Sequence, residues 1–283
     1  MFFKATKTQI VFLLKQKSAI FTFFIFLAIV LLNFIQNVID FQGMDVVEMY
    51  HPMKSLLLSF DKVFYKGDNT ILFVQLYPLL VVCPAGFSLA TEQQSGEEAY
   101  MISRLGHFTY KLSKVAAAFF ATAIVVSLPF FIEIVLNSIS FPTGAVGNFS
   151  NWGPYSQDYI ESVQNYIMPG FYSAAPYLYT IVGTLFFSFV SGILSAFTVA
   201  FSSIVRVKYR VFLFLPVFLL LNSTTYLSMI NENAGVAYST MWSDYLLLFN
   251  DFTKNVAYMS SILLALFLFS IAATIVSSKK ECL

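Results

Sequence analysis

Six runs of about twenty residues, each apolar around its whole circumference, constrain this chain more than any other feature. They are Ala19 to Ile39, Thr70 to Ala90, Val115 to Leu136, Leu178 to Ala200, Val211 to Ile230 and Val256 to Ser277. A helix needs roughly 20 residues to cross a hydrocarbon core about 30 Å thick, and within that core every backbone amide must find its partner inside the protein. Barrel strands would alternate apolar and polar residues over about ten positions, and these runs do not alternate. The chain therefore reads as an all-α, polytopic integral membrane protein with six transmembrane helices. Composition agrees, because 11% charged residues and a mean hydropathy of +0.74 leave too few polar groups to clothe a water-soluble globule of 283 residues.

The basic residues orient the spans. Twelve of the 16 Lys and Arg fall in segments on the same side as the N-terminus, and the other four, Lys54, Lys62, Lys66 and Lys254, fall opposite. The positive-inside rule then places both termini in the cytoplasm of a cell-membrane protein. Basic residues precede the first apolar run, but it is too long for a signal-peptide core and ends in Asn33-Phe34-Ile35-Gln36-Asn37 without an Ala-x-Ala pattern, so it is expected to stay attached. Residues 1–18 read as a cytoplasmic interfacial segment, either a short helix in the membrane surface or a basic flank that sets topology. Residues 19–277 form one six-helix transmembrane domain and 278–283 a cytoplasmic tail. Of the external connections, 137–177 holds no Lys or Arg and is expected to form an outer cap, with a surface helix over Tyr155 to Met168.

Much chemistry is excluded. No glycine belongs to a phosphate-binding G-x-x-x-x-G-K-[ST] loop. His51 and His107 sit in opposite aqueous segments and cannot share a metal, and no intramembrane base accompanies the many serines. The balance of 16 basic against 15 acidic residues, with no cationic cluster, argues against nucleic acid as a partner and leaves membrane lipid. Two cysteines, Cys83 in an apolar run and Cys282 near the end, make no disulfide framework. No enzymatic activity or cofactor is expected of this chain.

Within the spans, Glu133 is the single carboxylate, near an external end where it can reach the interface. Asn33, Gln36 and Asn37 share one helix face and are candidates to line a pore, or else to hydrogen-bond a neighbouring helix. Cys83-Pro84-Ala85-Gly86 is a natural kink in the second span. Ser188, Gly192 and Ala196, with Ser191 and Ser195 alongside, give the fourth span a small-residue face for close packing.

The first cytoplasmic loop, from Thr91 to Lys114, is the most informative stretch. It turns at Ser95-Gly96 and continues as a helix over Glu97 to Leu105, with acids in the first turn, Arg104 in the last and Gly106 as the stop. Lying along the membrane, that helix would offer Tyr100, Met101, Ile102 and Leu105 as a docking knob. Glu92, Ser95-Gly96, Arg104 and Lys114, between the second and third of six spans, resemble the pattern of permease subunits of type 2 ABC exporters. The Gln93-Gln94 pair departs from that family's usual charged pair.

The resemblance implies that Glu92, Ser95, Gly96, Glu97, Tyr100, Ile102, Arg104 and Leu105 form a coupling helix and its approach, seated in a separate ATP-binding cassette ATPase subunit. ATP and Mg would then be held by that partner, and two permease copies or two related permeases would pair. The chain would be the substrate path of an exporter. Alternatives are an ion-coupled carrier or channel without an ATPase, and a non-transporting sensor or assembly subunit. The second cytoplasmic loop, around Arg206 to Arg210, reads as a topology signal. Thirteen Lys against three Arg fits an AT-rich bacterial genome.

Overall fold

The computed structural model describes residues 2–40, 42, 52–60, 68–141, 166–205, 209–233, 238–250 and 252–280. The helices in chain order are α1 (Phe2–Leu14), α2 (Lys17–Asp40), α3 (Asp68–Leu80), α4 (Ser88–Ser95), α5 (Glu97–Leu105), α6 (His107–Ser140), α7 (Pro169–Ala174), α8 (Pro176–Ile204), α9 (Leu215–Asn233), α10 (Trp242–Leu246) and α11 (Val256–Lys280). Short 3₁₀ turns occupy Pro52–Ser55 and Arg210–Phe214. Among the described residues the single β feature is one parallel bridge between Ser59 and Leu248. The protein is an all-α polytopic membrane protein. Among the described residues five helical segments, α2, α6, α8, Arg210–Asn231 and α11, are long and apolar enough to cross a membrane.

The second expected span departs from a single kinked helix. It is broken into α3 and α4 around a run of turns at 81–87. Two prolines explain the break: Pro84 has no N–H to donate, and Pro78 already withholds one inside α3. The turns keep partial hydrogen bonding, with Cys83 N–H donating to the Leu79 carbonyl at 3.2 Å and Gly86 N–H to the Val82 carbonyl at 2.8 Å. Gly86 is required by space. A Cβ there would lie 2.7 Å from the Val82 oxygen and 3.3 Å from Thr198 of α8. The broken segment still runs the length of the bundle, from Thr70, which donates to the Leu57 carbonyl at one end, to Glu92 beside Lys114 at the other.

An aromatic cluster fills the centre. Phe26 of α2, Phe73 and Tyr77 of α3, Phe130 of α6 and Phe187 of α8 meet at centroid distances of 5.1–6.2 Å, and Trp242 of α10 stacks on Tyr77 at 5.0 Å. Such rings bury large apolar areas and gain further from edge-to-face geometry. The Tyr77 hydroxyl and Ser191 share a hydrogen bond of 2.9 Å, which satisfies both groups inside the bundle.

The small-residue face of α8 is used as the sequence suggests. Ser188, Ser191, Ser195 and Ala196 are buried, and Thr122 of α6 donates to Ser195 Oγ at 2.9 Å. Gly192 lets α6 approach so closely that a Cβ would lie 2.8 Å from the Phe119 carbonyl oxygen. In the connection expected to form an outer cap, Tyr166 packs with Tyr172 and Phe249, and Tyr172 with Phe249 and with Tyr179 of α8. The helix expected over Tyr155 to Met168 lies outside the described residues up to 165, and 166–168 is bent rather than helical.

Gly192→Val should force α6 and α8 apart, because the colliding atom is backbone and cannot rotate away. A loss of about 1–3 kcal/mol is expected, read as a lower thermal midpoint of the purified protein in detergent.

Candidate coupling site at the basic end of the bundle

The end of the bundle where α1 begins and α11 finishes is held by two buried lysines on the foot of α6. Lys114 is fully buried and pairs with Glu92 of α4, whose other carboxylate oxygen accepts from the Tyr110 hydroxyl. All three groups are shielded from water, and the Phe12 ring of α1 lies 5.9 Å from the Lys114 ammonium. Lys111, also buried, donates to the Ser277 carbonyl in the last turn of α11 at 3.4 Å. Carbonyls there have no partner within their own helix, and the negative end of the helix dipole favours a cation. One turn of α6 thus binds α4 and α11 by opposite-sign contacts. In the sequence both lysines count toward the basic side of the spans, and Lys114 also belongs to the permease-like pattern; the structure gives each a buried partner.

Glu92 is therefore not part of an outward surface. Its role is to fix α4, and with it the start of α5. Ser95 Oγ caps the same turn by donating to the Glu92 carbonyl at 3.2 Å. Gly96 follows at φ +79° and Gly106 at φ +77°, left-handed positions that suit glycine, so α5 is bounded by a reversal at each end. The helix expected over Glu97 to Leu105 is present with those bounds.

The face that α5 turns outward differs in part from the expected knob. Met101, Ile102 and Leu105 are half-buried against an apolar cluster made by Leu13 of α1, Leu89 of α4 and Ala117, Ala118 and Ala121 of α6. Tyr100 points to solvent at 56% exposure, with the Arg104 guanidinium 4.3 Å from its ring centroid. Glu97, Ala99 and Ser103 are exposed beside them. The presented surface is an aromatic and an arginine stacked together, a combination suited to protein recognition.

Sequence reasoning passed over one more contact. Arg210, assigned only a topological role, donates from Nε to Gln94 Oε1 at 2.6 Å and from a guanidinium nitrogen to Thr91 Oγ1 at 3.2 Å. The loop after α8 therefore grips the end of α4. No spacing along the chain announces this, since the partners lie more than a hundred residues apart.

The polar face of α2 sits at the opposite end. Asn33 Nδ2 donates to Glu133 Oε1 at 2.8 Å and to the Ser55 carbonyl at 3.0 Å, and Asn37 Nδ2 to the same carbonyl at 2.6 Å. Gln36 accepts from Asn69 at 2.7 Å. All three side chains thus tie α2 to its neighbours. Glu133 does not reach the interface: it is fully buried and also accepts from the Leu57 N–H at 2.8 Å. The sequence sees only its place near a span end; the Pro52–Ser55 turn folding inward over it is a tertiary effect.

Family models, curated proteins and solved structures provide no match to this chain. Among the described residues no group of three or more His, Cys, Asp or Glu is placed to hold a metal.

Breaking the buried pair one side at a time should be costly. Lys114→Met leaves the Glu92 carboxylate uncompensated, and a loss of about 3–5 kcal/mol is expected, with most of it recovered in the double variant Glu92→Gln/Lys114→Met. Thermal unfolding of the four proteins of that cycle in detergent measures the coupling. Equal, additive losses would mean that the two groups do not act as a pair.

Proposed function

We propose that this chain is the permease subunit of an ATP-binding cassette exporter in the cell membrane, with both termini cytoplasmic and α5 seated in a separate ATPase subunit. The observation that carries this reading is the hook formed by α4, Gly96, α5, Gly106 and α6, latched by Glu92 and Lys114. A motor can shift a two-state equilibrium only through contacts that differ between the states. A short helix on a flexible loop would swing without transmitting force. Here α5 is clamped to the ends of two bundle segments, so displacement of Tyr100 and Arg104 moves α4 and α6 with it. ATP and Mg belong to the partner, and a second permease copy or a related permease completes the path.

A second reading, an ion-coupled carrier working without an ATPase, draws on Glu133, a buried carboxylate that accepts from Asn33 and the Leu57 amide. Gradient-driven flux from vesicles containing this chain alone would favour it.

Co-purification with ATP-binding cassette ATPases of the source cell tests the first reading. Arg104→Glu and Tyr100→Ala, both on the outward face, should each weaken the association about tenfold or more while insertion and thermal stability stay unchanged. Retention of full binding in both variants would remove α5 from the interface. A cysteine replacing Ser103 should react with a membrane-impermeant thiol reagent only after the cells are opened.

A further inference from the structure

In the half of the bundle away from α5, a cavity of about 590 Å³ lies between α3, α9 and α10. Sites for small organic ligands span roughly 300–1,000 Å³. Val74 and Gln75 of α3 form one wall and Thr225 and Met229 of α9 the other, with Tyr238 and Phe252 at the rim. Gln75 is an exposed polar residue in the otherwise apolar stretch Ile71 to Leu80, and it lines this cavity.

The floor carries a charge. Asp244 of α10 is 5% exposed and lines the cavity, while the described lining includes no Lys, Arg or His. Its Oδ2 accepts from Ser239 Oγ, and its Oδ1 from Asn250 Nδ2 at 3.1 Å and Ser243 Oγ at 3.4 Å. These donors fix the carboxylate's direction. Lys254 offsets part of its charge from outside the cavity, donating to the Asn250 and Phe252 carbonyls. Burial nonetheless pushes the Asp244 carboxyl above the ordinary aspartate range. A carboxylate deprived of water gains most from a ligand that brings positive charge without a tightly held hydration shell. Aromatic rings at the rim favour the same partner, since a soft cation is attracted to their faces.

We propose that this cavity binds lipophilic organic monocations, with Asp244 as the counter-ion and the walls of α3 and α9 holding the apolar body. As the cargo vestibule of the permease the site rests on the transporter reading, but binding itself requires no ATPase and is measured on this chain alone.

The test uses tetraphenylphosphonium and tetraphenylborate, ions of nearly equal size and opposite charge, with the purified full chain in zwitterionic nanodiscs. Saturable binding of the phosphonium and only non-saturable partition of the borate are expected. Asp244→Asn should weaken phosphonium binding tenfold or more. Thr225→Trp, which crowds the cavity from the α9 wall and leaves Asp244 in place, should abolish it, and decides the matter if the first variant fails to fold. Saturable binding of both ions alike, partition without saturation, or phosphonium binding that survives Thr225→Trp would each overturn the proposal while leaving the role of α5 standing. Loss of ATPase association in the preceding experiment would have no effect on this binding.

Discussion

The ion pair between Lys114 and Glu92 decides how one end of this molecule is arranged. Removing two charges from water costs several kcal/mol per ion, and their attraction offsets that only where geometry is tight and remaining donors and acceptors are satisfied. The carboxylate meets them, since the Tyr110 hydroxyl takes its second oxygen, and the Phe12 ring of α1 lies beside the ammonium. A hydrophobic pair of similar volume could hold α4 to α6 as firmly. What it could not do is fix one register, because apolar surfaces slide and a buried charge tolerates only the position that pairs it. The direction of α5 follows, since Gly96 and Gly106 are the turns that such a fixed frame allows.

Around this fixed end the bundle combines rigid and yielding parts. α6 and α8 pack through Gly192 and the Thr122–Ser195 hydrogen bond, leaving little room for relative motion. The 68–95 segment is different. Its aromatic half, Phe73 and Tyr77, is locked into the central cluster, whereas its turns at 81–87 replace a continuous helix by a few local hydrogen bonds. Helices bend most readily where the ladder of backbone bonds is interrupted. The interruption lies between the part that joins the core and the part that joins α5.

Much of this was legible in the chain. The apolar runs mark the helices because a bilayer leaves the backbone no alternative, and Ser95-Gly96, the acids after it and Gly106 mark α5 because helix termini demand those residues. The small face of α8 was legible for a similar reason, since only Gly and Ser permit such an approach. What stayed hidden depends on partners distant in sequence. Lys111 looks like a membrane-flanking charge until Ser277 arrives beside it, and the pattern that contains Glu92 and Lys114 does not tell that they pair. Glu133 looks peripheral until the Pro52–Ser55 turn covers it. Pro84 signalled a kink but not its extent, which depends on Gly86 meeting α8. Asp244 gave no signal at all, because nothing in the chain sets it apart from Glu232 and Asp251 in the same loop between two apolar runs.

The broken segment also connects the two sites. Glu92 stands near one of its ends, in the latch beneath α5, while Val74 and Gln75 stand nearer the other, in the wall of the cavity that holds Asp244. Coupling between distant sites requires an element with two arrangements whose balance both sites can bias. A straight helix here would translate as a rod and shift the aromatic cluster with it, at the expense of the ring contacts around Tyr77. In the proposed transport cycle the turns at 81–87 are where α4, moving with α5 and the foot of α6, departs from α3, which is held at Tyr77 by its stacked Trp242. Trp242 lies on α10, the helix that also carries Asp244, so a pivot at Tyr77 changes the wall and the floor of the cavity together. In the proposed transport cycle, that geometry lets a push on Tyr100 and Arg104 alter affinity at the far side without dismantling the core between them.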